Sequence, residues 1–173
     1  FDFAVFAGHK TLYGPTGISG FVMKPDINLP PVLFGGTGYD SANQDMPDSL
    51  PEKYEMGTSN IAGIAGLNAA LQWNQKIGIQ NIFEHEQKNR KKLLEILSQY
   101  DFITIVGNAS AQQYVGIVSC LFDGISSDIA GSLLSEHGVS VRTGLQCAPL
   151  AHKFLGTYPA GTIRFSVGHF TSE

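Results

Sequence analysis

Lys10 stands in the stretch Phe6-Ala7-Gly8-His9-Lys10-Thr11-Leu12-Tyr13-Gly14-Pro15-Thr16-Gly17, between two apolar runs. Three glycines and a proline there are turn chemistry. A lysine that attacks an aldehyde needs an amine that is fixed and partly desolvated, and glycines let backbone come close to a cofactor. A solvated turn lysine is the plain alternative. Cys147 lies in Val141-Arg142-Thr143-Gly144-Leu145-Gln146-Cys147-Ala148-Pro149-Leu150. Pro149 favours the first position of a helix, and a thiol at a helix start gives up its proton more readily to become the nucleophilic thiolate. Cys120, inside an apolar strand, reads instead as a small buried hydrophobe. Arg164, in Gly161-Thr162-Ile163-Arg164-Phe165-Ser166, could pair with a carboxylate of the chain, or its planar fork could take an amino-acid α-carboxylate. Arg142 has the same two readings and ranks second. Thr58, in Tyr54-Glu55-Met56-Gly57-Thr58-Ser59-Asn60, sits where a helix begins. Helix-terminal N–H groups plus a hydroxyl make a phosphate site. His85, His137, His152 and His169 show no metal-ligand spacing with cysteines or acids.

The elements that must position these residues follow from apolar periodicity and breakers. Phe1 to Phe6 and Ile18 to Met23 read as strands around the Lys10 turn. Leu29 to Phe34 is an extended piece running into the loop Gly35-Gly36-Thr37-Gly38. Residues 39 to 53 are polar, carry Pro47 and Pro51, and read as an irregular excursion. Thr58 or Ser59 is expected to cap a helix from about Asn60 to Ile77, rich in Ala and Gly and so able to pack closely. A second helix is expected from about Asn81 to Ser98, with the charge run Lys88 to Lys92 as its solvated face. Ile103 to Val106, Tyr114 to Phe122, Val139 to Arg142 and Thr162 to Val167 read as strands. Ser126 or Ser127 starts a helix that ends near His137-Gly138, where the glycine suits a C-cap. Ala148 to Leu155 is a short helix. The second half is an α+β unit, with the junction near Gly78.

Composition narrows the function classes. The chain has 173 residues, 43% hydrophobic and 15% charged, with a net charge of −4. No basic block speaks for a nucleic-acid surface. No apolar run approaches membrane-spanning length, and no secretory signal is read. Two cysteines make no disulfide framework and suit a reducing compartment. A cytoplasmic chain is the expectation.

Gly8-His9-Lys10 with Tyr13-Gly14-Pro15-Thr16-Gly17 resembles the cofactor-lysine segment of class V aminotransferase-fold enzymes, and more narrowly the cysteine desulfurase and selenocysteine lyase branch. The segments around Thr58, Cys147 and Arg164 match that family in the same order, from Gly8 to Ser166. The resemblance implies a fold type I α/β enzyme dependent on pyridoxal phosphate. Residues 1–78 would be the C-terminal portion of the cofactor-binding large domain, and residues 79–173 a small C-terminal α+β domain. It implies that Lys10 holds the cofactor aldehyde, His9 hydrogen-bonds the phosphate, and Thr58 reaches the phosphate of a neighbouring subunit. A homodimer with shared sites is thus expected. Cys147 would be the sulfur nucleophile and Arg164 the carboxylate fork. Two departures stand out. Ala7 replaces a common serine, and Leu145 and Gln146 stand where the family often has histidines. The family also carries a large domain before the lysine and continues into a helix after a segment like Thr171-Ser172-Glu173, so a C-terminal fragment is expected.

The expected chemistry is removal of sulfur from L-cysteine as a persulfide on Cys147, leaving alanine, with a sulfur-acceptor protein as a further partner. A selenocysteine lyase or an aminotransferase keeps the same fold. A folded dimerisation module, inactive without the cofactor-stacking residues, is the non-catalytic alternative.

Overall fold

The computed structural model describes residues 1–107 and 114–172. Glu173, the last residue of the segment after which a helix is expected, lies outside the described residues. The chain divides into two compact units, Phe1–Ile77 and the part from Gly78 onward.

In the first unit, strands β1 (Phe3–Ala7) and β2 (Ser19–Met23) pair antiparallel, from Phe3 opposite Met23 to Ala7 opposite Ser19. Alternating aromatic and aliphatic residues suit a pleated ribbon. The loop joining the two strands carries Lys10. Leu29 to Phe34 joins no ladder among the described residues. A 3₁₀ turn at Glu52–Tyr54 ties that segment down instead: the Leu29 N–H donates to Tyr54 Oη at 3.1 Å, and Oη donates to the Leu29 carbonyl at 2.8 Å.

Helix α1 (Ile61–Ile77) follows. Its cap is Asn60, not Thr58 or Ser59. Asn60 Oδ1 accepts from the Gly63 N–H at 3.0 Å, and its carbonyl accepts from Ile64 at 2.9 Å. Asparagine suits this place because its short amide reaches an otherwise unpaired helical N–H. The other end of that amide donates to the Gly17 carbonyl at 3.2 Å, which fastens the lysine loop to the helix. Asn60→Ala should therefore cost about 1 kcal/mol of stability. Asn60→Asp keeps the capping acceptor but not the Nδ2 donor, so denaturant titration should show a smaller loss. An equal loss would put the stabilisation in the Gly17 bond.

The second unit opens with α2 (Ile79–Leu97), two residues earlier than its apolar pattern indicates. Three strands, β3 (Ile103–Val106), β4 (Ile117–Phe122) and β5 (Ile163–Ser166), form an antiparallel sheet in the order β3-β4-β5. Between β4 and β5 run α3 (Ser127–Glu136) and α4 (Pro149–Phe154). Ser126 caps α3 through its hydroxyl, accepting from Ile129 at 3.3 Å. At the other end, Val139 N–H to Leu134 and Gly138 N–H to Ser135 close a Schellman motif, with Gly138 at φ 78°. Cys120, Ala130 and Ile163 form the buried centre, flanked by Ile103, Ile105, Phe122, Leu134, Val141 and Phe165.

Two strand expectations change. The ladder of β4 starts at Ile117 rather than Tyr114. Val139 to Arg142 is no strand, and only Arg142 bridges to Arg164. Gly138 and Gly144, both at positive φ, bend the chain away on either side. Among the described residues no helix is long and apolar enough to cross a membrane.

Candidate functional site

Lys10 lies on a turn that is closed by its own backbone. Gly14 N–H donates to the Gly8 carbonyl at 2.8 Å, Tyr13 N–H to the Lys10 carbonyl at 3.0 Å, and Gly8 N–H to the Ile18 carbonyl at 3.0 Å. A Cβ on Gly14 would fall 2.9 Å from the Gly8 oxygen and from Leu67 Cδ1, so only glycine fits this crossing. Helix α1 packs along the turn through small residues. Gly66 lies against Pro15, and Asn74, buried, donates from Nδ2 to the Leu12 carbonyl at 2.9 Å. Trp73 meets Tyr13 edge to face, with centroids 5.4 Å apart. The alanine- and glycine-rich composition of α1 thus has a use: it lets the lysine turn sit close to the helix.

The Lys10 amine, the His9 ring and the Thr58 hydroxyl have no hydrogen bond or ion pair among the described residues. All three residues are exposed, so these groups face solvent. Thr58 does not cap α1, so its hydroxyl is not spent on the helix.

In the second unit the structure brings Cys147, Arg142 and Arg164 together. Arg142 and Arg164 exchange both backbone bonds, at 3.0 and 2.7 Å. Residues opposed in this way send their side chains out on one face of the sheet. Two like charges placed opposite each other repel, and among the described residues no carboxylate pairs with either. Arg164 Nε is buried and has no hydrogen-bond partner. Arg142 Nη2 donates to Cys147 Sγ at 3.4 Å. The constellation is a pair of guanidinium groups, one with an unused buried N–H, beside an exposed thiol.

The thiol lies at the helix start expected above, directly before the N-cap Ala148, and a further device holds it there. Helix α4 has six residues and begins two positions later, with Pro149 at its first turn. Cys147 itself is in the left-handed region, φ 66°, directly after Gln146 at φ 45°. Each such non-glycine residue costs on the order of 1–3 kcal/mol and persists only where its surroundings hold it. Those surroundings are buried and polar. Gln146 Nε2 donates to the Thr162 carbonyl at 2.8 Å, and Gln146 Oε1 lies 3.2 Å from both Thr162 Oγ1 and His152 Nε2. Gly161 lies against Gly144 so closely that a Cβ there would overlap its backbone. Cys120 is the opposite case. It is fully buried, and burial pushes its thiol up to about 11.

Sequence reasoning missed His152, Thr157 and Thr162 as supports of the thiol. The sequence pattern assigns His152 nothing beyond a lack of metal-ligand spacing, and among the described residues no cluster of His, Cys, Asp or Glu could hold a metal. A usable signal exists. Helical side chains lean toward the N-terminus, so a histidine in the first turns after Pro149 must lie back over the residues just before it, Gln146 among them.

A profile of the aminotransferase class-V family matches residues 1–173. The chain is 35% identical, over 179 aligned residues, to a probable cysteine desulfurase of Methanothermobacter thermautotrophicus, covering 99% of this chain and 44% of that protein. Among solved structures, the apo cysteine desulfurase from Thermococcus onnurineus NA1 superposes with a TM-score of 0.85 at 32% identity, covering 99% of this chain and 43% of that one. The cysteine desulfurase CsdA from Escherichia coli gives 0.86 at 30% identity, covering 99% and 42%. The chain therefore spans less than half the length of these relatives.

Proposed function

The chain belongs to the aminotransferase class-V family, and from that premise we propose that the protein is a pyridoxal-phosphate-dependent cysteine desulfurase, taking sulfur from L-cysteine and leaving L-alanine. Its fold is that of the fold type I pyridoxal-phosphate enzymes. The observation that carries the reading is the Arg164–Arg142–Cys147 constellation. An unpaired buried guanidinium N–H suits a carboxylate, and an exposed thiol beside a second guanidinium suits attack on sulfur.

The residues of the first unit fit the cofactor. Lys10 offers an amine without an ion pair, on a turn with no room for a Cβ at Gly14. His9 and Thr58 offer polar groups without a protein partner. Lys10 would hold the aldehyde and His9 the phosphate, with Thr58 reaching the phosphate of a neighbouring subunit in a homodimer. Bound there, pyridoxal phosphate supplies an electron sink for the substrate carbon. The chain does the rest. Arg164 takes the α-carboxylate of L-cysteine and fixes its orientation. The Lys10 amine moves a proton at the substrate carbon. Cys147, as thiolate, attacks the substrate sulfur. A sulfur–sulfur bond forms as the carbon–sulfur bond breaks, its electron pair stays with the β-carbon, that carbon takes up a proton, and alanine leaves. The persulfide on exposed Cys147 would then pass to a sulfur-acceptor protein in the cytoplasm.

Arg164→Lys in the full-length protein tests the reading. A charge-assisted fork is worth roughly 1.5–3 kcal/mol, and lysine keeps the charge but not the fork. The KM for L-cysteine should rise by about tenfold or more, with cofactor absorbance unchanged. Loss of the cofactor at an unchanged KM would make Arg164 structural and move the carboxylate to Arg142.

A further inference from the structure

We propose that His152, acting through Gln146, is a positioning residue that holds Cys147 in its reacting conformation. The proposal rests on the reading of Cys147 as the sulfur nucleophile.

The starting point is the pair of adjacent left-handed residues, Gln146 at φ 45° and Cys147 at φ 66°, neither of them glycine. The turn's own backbone bond, Ala148 N–H to the Leu145 carbonyl at 2.8 Å, closes it, and the cost of two such residues calls for side-chain support as well. Among the described residues, the Gln146 amide is the one side chain of the turn with bonds at both ends. Its nitrogen donates to the carbonyls of Thr162, at 2.8 Å, and of Arg142, at 3.4 Å. Its oxygen accepts from Thr162 Oγ1 and faces His152 Nε2, both at 3.2 Å. The two carbonyls decide which way the amide points, because its oxygen could not lie against them.

That orientation decides the histidine. An amide oxygen only accepts, so Nε2 is a donor to it. Nδ1 lies 2.7 Å from the Thr157 hydroxyl, which also donates to the His152 carbonyl at 3.4 Å. His152 is 5% exposed, Thr157 8% and Thr162 1%, so water does not compete for these bonds. The main chain of His152 is fixed as well, since its carbonyl accepts from Thr157 at 2.9 Å and Tyr158 at 3.2 Å. A connected path thus runs from Thr157 through His152 and Gln146 to the turn that presents the thiol. Gln146 also holds the carbonyl of Arg142, the residue whose guanidinium donates to Sγ. None of the three, His152, Thr157 or Thr162, has a bond to Sγ, which is why the role is positioning and not catalysis.

The test uses the full-length holoenzyme and two readouts: kcat and KM for L-cysteine, and the rate at which iodoacetamide alkylates Cys147, followed by peptide mass. His152→Leu removes both ring nitrogens at similar size. His152→Gln keeps an N–H donor within reach of Gln146 Oε1. In His152→Leu, kcat should fall by about tenfold to a hundredfold, with KM and cofactor absorbance unchanged. Cys147 alkylation should slow as the sulfur leaves the Arg142 donor, and His152→Gln should recover most of both losses. His152→Leu with wild-type kcat and alkylation overturns the proposal. So does a loss shared equally by both variants together with loss of cofactor, which would make His152 a packing residue. If His152→Leu does not fold, Gln146→Glu decides. It keeps the acceptor for His152 but loses both donors to the carbonyls, so it should slow Cys147 alkylation, and an unchanged rate overturns the proposal. Alkylation does not require Cys147 to accept sulfur. Sulfur release that survives Cys147→Ala, with alkylation still slowed by His152→Leu in the wild-type-thiol background, would sink the functional reading and leave the positioning role standing.

Discussion

Full-length protein carrying Cys147→Ala should release no sulfide from L-cysteine in the presence of a thiol reductant, while its cofactor absorbance stays that of the wild type. The reason is that the proposed cofactor groups and the thiol are different residues of different units. The groups proposed to hold the cofactor, His9, Lys10 and Thr58, lie in the first unit, and the thiol lies in the second. Removing Sγ leaves the Arg142–Arg164 bridge intact, because that bridge is made by backbone. The substrate should therefore still bind and lose only its sulfur acceptor. Cys120 cannot substitute. It is fully buried, and its thiol, pushed up to about 11, stays protonated at neutral pH. Sulfide release at the wild-type rate would refute the nucleophile role and favour an aminotransferase or a lyase that needs no thiol.

Lys10→Ala should lose the absorbance of lysine-bound cofactor and lower turnover by roughly a hundredfold to ten-thousandfold, the span of a lost proton-transfer group. The turn itself should survive. Its bonds run between backbone atoms of Gly8, Lys10, Tyr13 and Gly14, and the Lys10 side chain makes none of them. Borohydride reduction of the wild-type holoenzyme followed by peptide mapping checks the assignment directly. Label on Lys10 is expected, and label on Lys24 or Lys76 would transfer the role.

Local chemistry was legible in the chain. The strands flanking the Lys10 turn, the extents of α3 and α4, the Schellman stop at Gly138 and the burial of Cys120 all follow from short-range pattern. In each case the deciding interaction lies within a few residues: an alternation, a capping hydroxyl, a glycine at positive φ, a proline at a first helical turn. Such preferences act on the backbone whatever the rest of the chain does. The candidate residues were legible for a related reason. A lysine among glycines and a thiol before a proline are patterns of neighbouring residues.

Interactions between distant segments were not legible. Val139 to Arg142 has strand composition, yet only Arg142 finds a partner, because ladder formation depends on where β5 lies. Asn60 outranks Thr58 and Ser59 as the cap of α1 partly because Gly17, forty-three residues away, takes the other end of its amide. The sequence by itself determined which residues could do chemistry: Lys10, Cys147, Arg142 and Arg164. Only the tertiary structure decided what surrounds them. It set Arg142 opposite Arg164, gave the thiol a guanidinium neighbour beside the helix start, and placed buried His152 behind Gln146. The physical reason is that two adjacent non-glycine residues at positive φ need more than the turn's own backbone bond, from Ala148 N–H to the Leu145 carbonyl at 2.8 Å. That support comes from hydrogen bonds between Gln146 and both Thr162 and His152, which form only once β5 and α4 have packed.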